Sequence, residues 1–344
     1  MSLHLAESTF HFPLRPFLRP LRRVISLSSI LLATLPIYAI ALIGAFLRRA
    51  RVIVPEMDAG IMKLTIHVLY PCLILDKMLG NVTLRDPAVV GWGIGLGFLL
   101  ITVGLALAYA VGRLIGLSTG SGLRTFALTS GMQNYGYLAV PILMALFPGG
   151  GALGVLFVHN LGVEIAIWTV GLMLLTGTTL KSPKRLLNGP IVAVVVGLLL
   201  VGTGGDAAFD PQTGAMAGKI LRTIINYLGV CAFPIALLQI GTVIFDLIGK
   251  ERLSLRVSLG GMFVRLVMLP VVFIVAARYL PIALQLKQVL IVQAAMPSAV
   301  FPIMMARFYG GRPGVAVEVV LATSAASLVF MPLIIRLGMA WVAH

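Results

Sequence analysis

The side chains best suited to chemistry in this chain are few, and they lie in apolar surroundings. Glu164 stands in VHNLGVEIAIW beside His159 and Asn160. An ionisable residue deep in an apolar run is costly in hydrocarbon, so its presence points to function. Glu164 is therefore the candidate for proton coupling; a structural hydrogen bond or ion pair with a neighbouring helix is the alternative. A second set falls in two stretches, QNYGYLAVPILMALFPGG at 133–150 and AAMPSAVFPIMMARFYGG at 294–311. Gln133 and Asn134 precede Pro141, while Gln293, Pro297 and Ser298 precede Pro302. Each of these amides and hydroxyls can hydrogen-bond a substrate or cap an interrupted helix. The prolines donate no backbone hydrogen bond and turn the preceding residue away from helix.

Other chemistry finds no footing. The sequence has no HExxH, GxSxG, Walker or CxxC pattern, so neither a catalytic set nor a metal site is expected. His67 and His159 have no second ligand spaced to join them and read as helix-packing histidines. Cys72 and Cys231 lie in apolar runs and read as small buried residues. GWGIGLG at 91–97 looks superficially like a nucleotide loop, but no strand precedes it; close helix packing through small residues accounts for it better.

The elements that hold these residues must be membrane helices. Of 344 residues, 59% are hydrophobic and 11% charged, with mean hydropathy +1.05. A soluble domain carries about a quarter of its residues as charges. The net charge of +15 would suit nucleic acid in a soluble protein. Here the basic residues sit between apolar runs and no nucleic-acid motif accompanies them, so no nucleic acid is expected. No cofactor is expected either.

Apolar length gives ten spans, near 28–48, 57–79, 88–112, 122–147, 151–178, 189–204, 215–246, 256–279, 287–309 and 314–341. Residues 1–27 form a basic polar tail, and a short basic link at 181–188 divides the rest into 28–180 and 189–344. Odd-numbered links hold 13 Lys and Arg and even-numbered links hold 6. That bias places odd links in the cytoplasm and both termini outside, against the four arginines of the tail. Asp76, Asp246 and Glu318 lie toward span ends and read as interfacial.

The chain also repeats itself. A shift of 161 residues lays VPILMALFPGG (140–150) over FPIMMARFYGG (301–311), and a shift of 163 lays Tyr70-Pro71 over Phe233-Pro234. Span 2 therefore matches span 7, and span 4 matches span 9. Halves of five spans each must face opposite ways in the membrane, and inverted repeats of this kind mark transporters. Broken segments are tolerated in lipid only where protein buries them or a wet cavity meets them. Matched breaks at Pro141 and Pro302 would expose half-helix N-termini, whose free N–H groups attract an anion.

QNYGYLAVPIL, QAAMPSAVFPIMMARFYG and CAFPIALLQIG (231–241) resemble the auxin efflux carrier family, of the bacterial type, within the bile-acid/arsenite/riboflavin transporter-like superfamily. The resemblance runs over residues 28–341 and is strongest in spans 4 and 9. It implies an all-α membrane protein of ten helices in two inverted five-helix repeats, with broken helices 4 and 9 crossing at Pro141 and Pro302. It implies a substrate site beside that crossing; Gln133, Asn134, Pro141, Gln293, Pro297, Ser298 and Pro302, read from the two broken stretches, are the candidate substrate-binding residues. It further implies elevator-like movement of spans 3–5 and 8–10 against a scaffold of spans 1, 2, 6 and 7. The link of about eight residues between spans 5 and 6 is short, as in bacterial relatives, and residues 87–112 hold no charge. The acid–base pair that plant members carry near the third span is thus missing here.

The expected function is secondary transport, by efflux, of a small organic anion such as a mono- or dicarboxylate. H+ is the expected coupling ion ahead of Na+. The expected surroundings are the lipid of a bacterial inner or plasma membrane, with a homodimer left open. A sodium-coupled symporter of the bile-acid type and a non-transporting membrane sensor are the alternatives.

Overall fold

A computed structural model describes residues 27–149, 151–178, 188–247 and 254–343. The basic tail and nearly all of the 181–188 link lie outside the described residues. Within them the chain is almost wholly helical, without a sheet. The helices are α1 (Leu27–Arg49), α2 (Pro55–Met78), α3 (Pro87–Leu114), α4 (Leu123–Gly131), α5 (Ala139–Leu146) and α6 (Ala152–Thr176). There follow α7 (Gly189–Thr203), α8 (Met216–Leu247), α9 (Leu255–Tyr279), α10 (Leu284–Ala295), α11 (Phe301–Phe308) and α12 (Pro313–Ala343). Seven of these, α1, α2, α3, α6, α8, α9 and α12, are long and apolar enough to cross a membrane. Large apolar side chains such as Leu42, Leu99 and Val271 stand exposed on their outer faces. Lipid can cover such a surface at no cost, and water cannot.

Local chemistry sets the helix ends. Asp86 Oδ1 accepts from the Ala88 amide at 2.8 Å and Pro87 opens α3; Asn188 Oδ1 accepts from the Ile191 amide at 3.0 Å before α7. These caps satisfy amides that have no partner within the helix.

Glycines let the helices touch backbone to backbone. A Cβ on Gly97 of α3 would lie 2.1 Å from the His159 carbonyl oxygen of α6, and one on Gly162 of α6 would lie 2.0 Å from that of Ile94. The same reciprocity joins α1 to α8 through Gly44 and Gly241, and α3 to α4 through Gly104 and Gly131. Between apolar helices in lipid, such close approach is a main source of attraction. The small-residue reading of GWGIGLG is borne out at Gly93 and Gly97, which face α6.

Ion pairs fasten α1, α2 and α8. Arg48 pairs with Asp58 and, at 3.3 Å, with Asp246. Asp76 pairs with Lys77 at 2.7 Å and with Arg222 at 3.4 Å. Asp76 and Glu318 are buried toward the ends of α2 and α12, and each has polar partners there; Glu318 accepts from Ser258 Oγ at 2.9 Å. Cys231 is exposed on α8 and Cys72 half-buried, so neither is the buried packing residue expected. An apolar run says nothing about which face of its helix meets a neighbour.

Two predicted spans are each split into short helices, α4 with α5 and α10 with α11. The splits do not fall at the prolines. Pro141 is the third residue of α5 and Pro302 the second of α11, while the non-helical residues are 132–138 and 296–300. A first-turn proline loses nothing, because its missing N–H would have no intrahelical partner there. The prolines thus start the second half-helix, and the residues before them make the break. Pro297 lies within one.

Candidate functional site

The two breaks lie against each other. The Asn134 amide donates to the Pro297 carbonyl at 2.8 Å, and the Ala299 amide donates to the Met132 carbonyl at 3.0 Å. Gln133 and Ser298 thereby form an isolated antiparallel bridge. Backbone freed in each break is satisfied partly by the other, as buried irregular backbone requires. The Ser298 amide adds a bond to Thr323 Oγ1 of α12 at 3.2 Å.

A cavity of about 270 Å³ opens beside this contact. Its walls come from α2 (Ile66, Tyr70, Ile74), from the first break (Met132 and 134–137), from α6 and α7, and from 299–301 at the second break. Polar groups on α6 and α10 hold the first break in place. The Tyr135 carbonyl accepts from Asn160 Nδ2 at 3.2 Å and from Gln293 Nε2 at 3.2 Å; Gln293 Nε2 also reaches Asn160 Oδ1 at 3.3 Å. The Tyr135 hydroxyl donates to one oxygen of Glu164, and Trp168 Nε1 donates to the other at 2.9 Å. Aromatic edges fix the walls further: Tyr70 meets Tyr137 and Trp168 meets Phe301, each pair with centroids 5.7 Å apart. Tyr70 Oη has no hydrogen-bond partner among the described residues, although it is buried.

Of the residues expected from sequence, Asn134 and Glu164 line this cavity. Gln293 stands behind it as a brace for Tyr135 and Asn160. Gln133 and Ser298 are buried at the bridge, with side-chain atoms that meet no partner among the described residues. Pro141 and Pro302 are buried in α5 and α11, away from the cavity wall. His159 is buried next to Asn160, and among the described residues no cluster could hold a metal.

Sequence reasoning passed over Tyr70, Tyr135, Trp168 and Arg265. Two tyrosines within QNYGY signalled that the break carries side chains as well as strain. Arg265 offered a plainer sign, being a charge in the middle of span 256–279. Three helices contain a π-helical turn beside these residues: Thr65–Leu69 ahead of Tyr70, Ile167–Gly171 around Trp168, and Val264–Met268 around Arg265. Such turns occur often at functional sites, since they rotate side chains out of helical register.

Apolar helices around a buried polar centre define an integral membrane protein. The family model described as membrane transport protein matches residues 29–185 and again 178–335. The chain belongs to that family, which includes the auxin efflux carriers. It is thus a membrane transporter by family. No curated protein matches the chain.

Proposed function

We propose that the chain is a secondary carrier of a small organic anion, a mono- or dicarboxylate, moved outward by alternating access. The pairing of the two breaks beside one aromatic-walled cavity carries this reading. In this view the chain has ten spans in two inverted repeats, 28–180 and 189–344, with both termini outside. The broken spans α4–α5 and α10–α11 cross where Asn134 meets Pro297. The ion pairs among α1, α2 and α8 suit a fixed scaffold, against which α3–α6 and α9–α12 move as an elevator.

Glu164 sets the coupling. Among the described residues no Lys or Arg lines the cavity, so in this view an anion there meets Glu164 without a compensating cation. Two like charges ~6 Å apart at an effective dielectric constant of ~20 repel by ~3 kcal/mol. The anion therefore binds when Glu164 carries a proton, and the two move together. Asn134, Asn160 and the free Tyr70 hydroxyl supply hydrogen bonds to the carboxylate.

Proteoliposomes loaded with labelled mono- and dicarboxylates test the reading. Flux that follows an imposed proton gradient and ignores a sodium gradient is expected. Flux driven by sodium would favour the symporter reading, and ligand binding without flux would favour a sensor.

A further inference from the structure

Among the described residues Arg265 is the largest that is fully buried, at 0% exposure. It has no carboxylate partner among the described residues. The buried or paired acids are engaged elsewhere: Glu164 with Tyr135 and Trp168, Glu318 with Ser258, Asp76 with Arg222, Asp58 and Asp246 with Arg48, and Asp206 with Arg85. Arg265 Nη2 instead donates to the carbonyls of Gln293 and Ala294, each at 3.3 Å, and the guanidinium carbon lies 5.7 Å from the Phe273 ring centroid. Nε and Nη1 have no partner among the described residues.

Those two carbonyls belong to the last turn of α10, where the second break begins. The carbonyl end of a helix carries roughly half a negative charge. In carriers built from broken helices, such ends together with unwound carbonyls are where a coupling cation binds. The first break differs. The 161-residue shift lays Gly104 over Arg265, and a Cβ on Gly104 would lie 2.7 Å from the Gly131 carbonyl oxygen. There, helix backbone closes over the end of α4 and leaves no room for a side chain. One repeat thus packs its break with backbone, and the other sets a cation against it.

We propose that Arg265 is a resident cation at the second break, standing where a mobile coupling ion would otherwise sit. The site is occupied by the protein itself, so sodium has no place at this helix end. The inference rests on the carrier reading for its meaning, but its test reads stability and needs no transport.

The full-length protein in detergent is melted in sodium, choline and guanidinium chlorides at matched ionic strength, with guanidinium at ~10 mM. Wild type is expected to melt at the same temperature in sodium and in choline. Arg265→Ala is expected to melt lower and to regain a large part of the loss in guanidinium or sodium, which enter the space left. Arg265→Met, which fills the space without charge, is expected to melt lower without rescue. Arg265→Lys is expected to stay within a few degrees of wild type; it carries the test if the Ala variant cannot be purified. The proposal is overturned if sodium raises the wild-type melting temperature, if neither cation rescues Arg265→Ala, or if Lys destabilises as much as Met. Should flux prove absent while the rescue holds, the carrier reading fails and the resident cation stands.

Discussion

GWGIGLG places four glycines on α3 in two different environments, which makes an internal control. Gly97 faces α6; a Cβ there would sit 2.1 Å from the His159 carbonyl oxygen, against about 3.4 Å for ordinary contact. Gly97→Ala must therefore push α3 and α6 apart by roughly 1.3 Å, and backbone cannot yield as a flexible side chain can. Overpacking of this kind costs ~1–3 kcal/mol. The same displacement would carry Asn160, one residue beyond His159, from 3.2 Å to well over 4 Å from the Tyr135 carbonyl if α6 absorbs it. Stability and site geometry should then fail together. Gly95 has nothing within 4 Å of its Cβ position, so Gly95→Ala should hold or raise stability, by up to ~1 kcal/mol from helix propensity. The assay is thermal melting of both variants with and without a carboxylate that stabilises wild type. Gly97→Ala should melt lower and lose the ligand shift; Gly95→Ala should keep both. Equal behaviour of the two would refute the claim that backbone contact at Gly97 positions the site.

Glu164→Gln should leave the fold intact and remove the dependence of flux on a proton gradient; unchanged flux and pH profile would dismiss proton coupling through this residue. Tyr70→Phe deletes a hydroxyl that no described protein group uses, so melting should hold while apparent affinity for a carboxylate falls several-fold, about 1 kcal/mol for one hydrogen bond. An unchanged affinity would take Tyr70 out of the site. Asp210, between α7 and α8, accepts from the amides of Thr213 and Gln212 at 2.8 Å each, and these bonds hold its carboxyl below the usual carboxylate range. A lowered carboxyl contributes above its ordinary pKa and loses that contribution as pH falls through the lowered value. Amide exchange at Thr213, corrected for intrinsic rates, should therefore show protection that persists through mildly acidic pH and fades only in stronger acid. Protection that fades already at the ordinary carboxylate pKa would contradict the assignment.

The helical, membrane-embedded character was legible from composition, because 11% charge cannot cover a water-facing surface. The repeat pointed to the two broken stretches, and Asn134 of the first lies with Glu164 on the wall of one cavity. What composition and spacing do not encode is rotation about the helix axis. Spans that are apolar all round have no polar stripe to orient them, so the exposure of Cys231 and the burial of Asp76 could not be read. Prolines signalled that a helix was interrupted but misplaced the interruption, since a first-turn proline and a breaking proline look alike in sequence. Arg265 was visible as a charge within an apolar span, but its partners were not, because they are carbonyl oxygens, which every residue has.

The bridge between Gln133 and Ser298 also imposes an order of events during synthesis. Residue 134 leaves the ribosome about 160 residues before residue 297 does. At ~5–20 residues per second that interval is on the order of 10–30 s. Throughout it, the Asn134 amide and the Met132 carbonyl lack their eventual partners, and lipid offers none. The nascent first half must therefore wait near water, translocon or chaperone with its break unsealed. Expressed alone, it would be a substrate for membrane quality control; co-expressed with the second half as a separate chain, it would find the missing backbone and be spared.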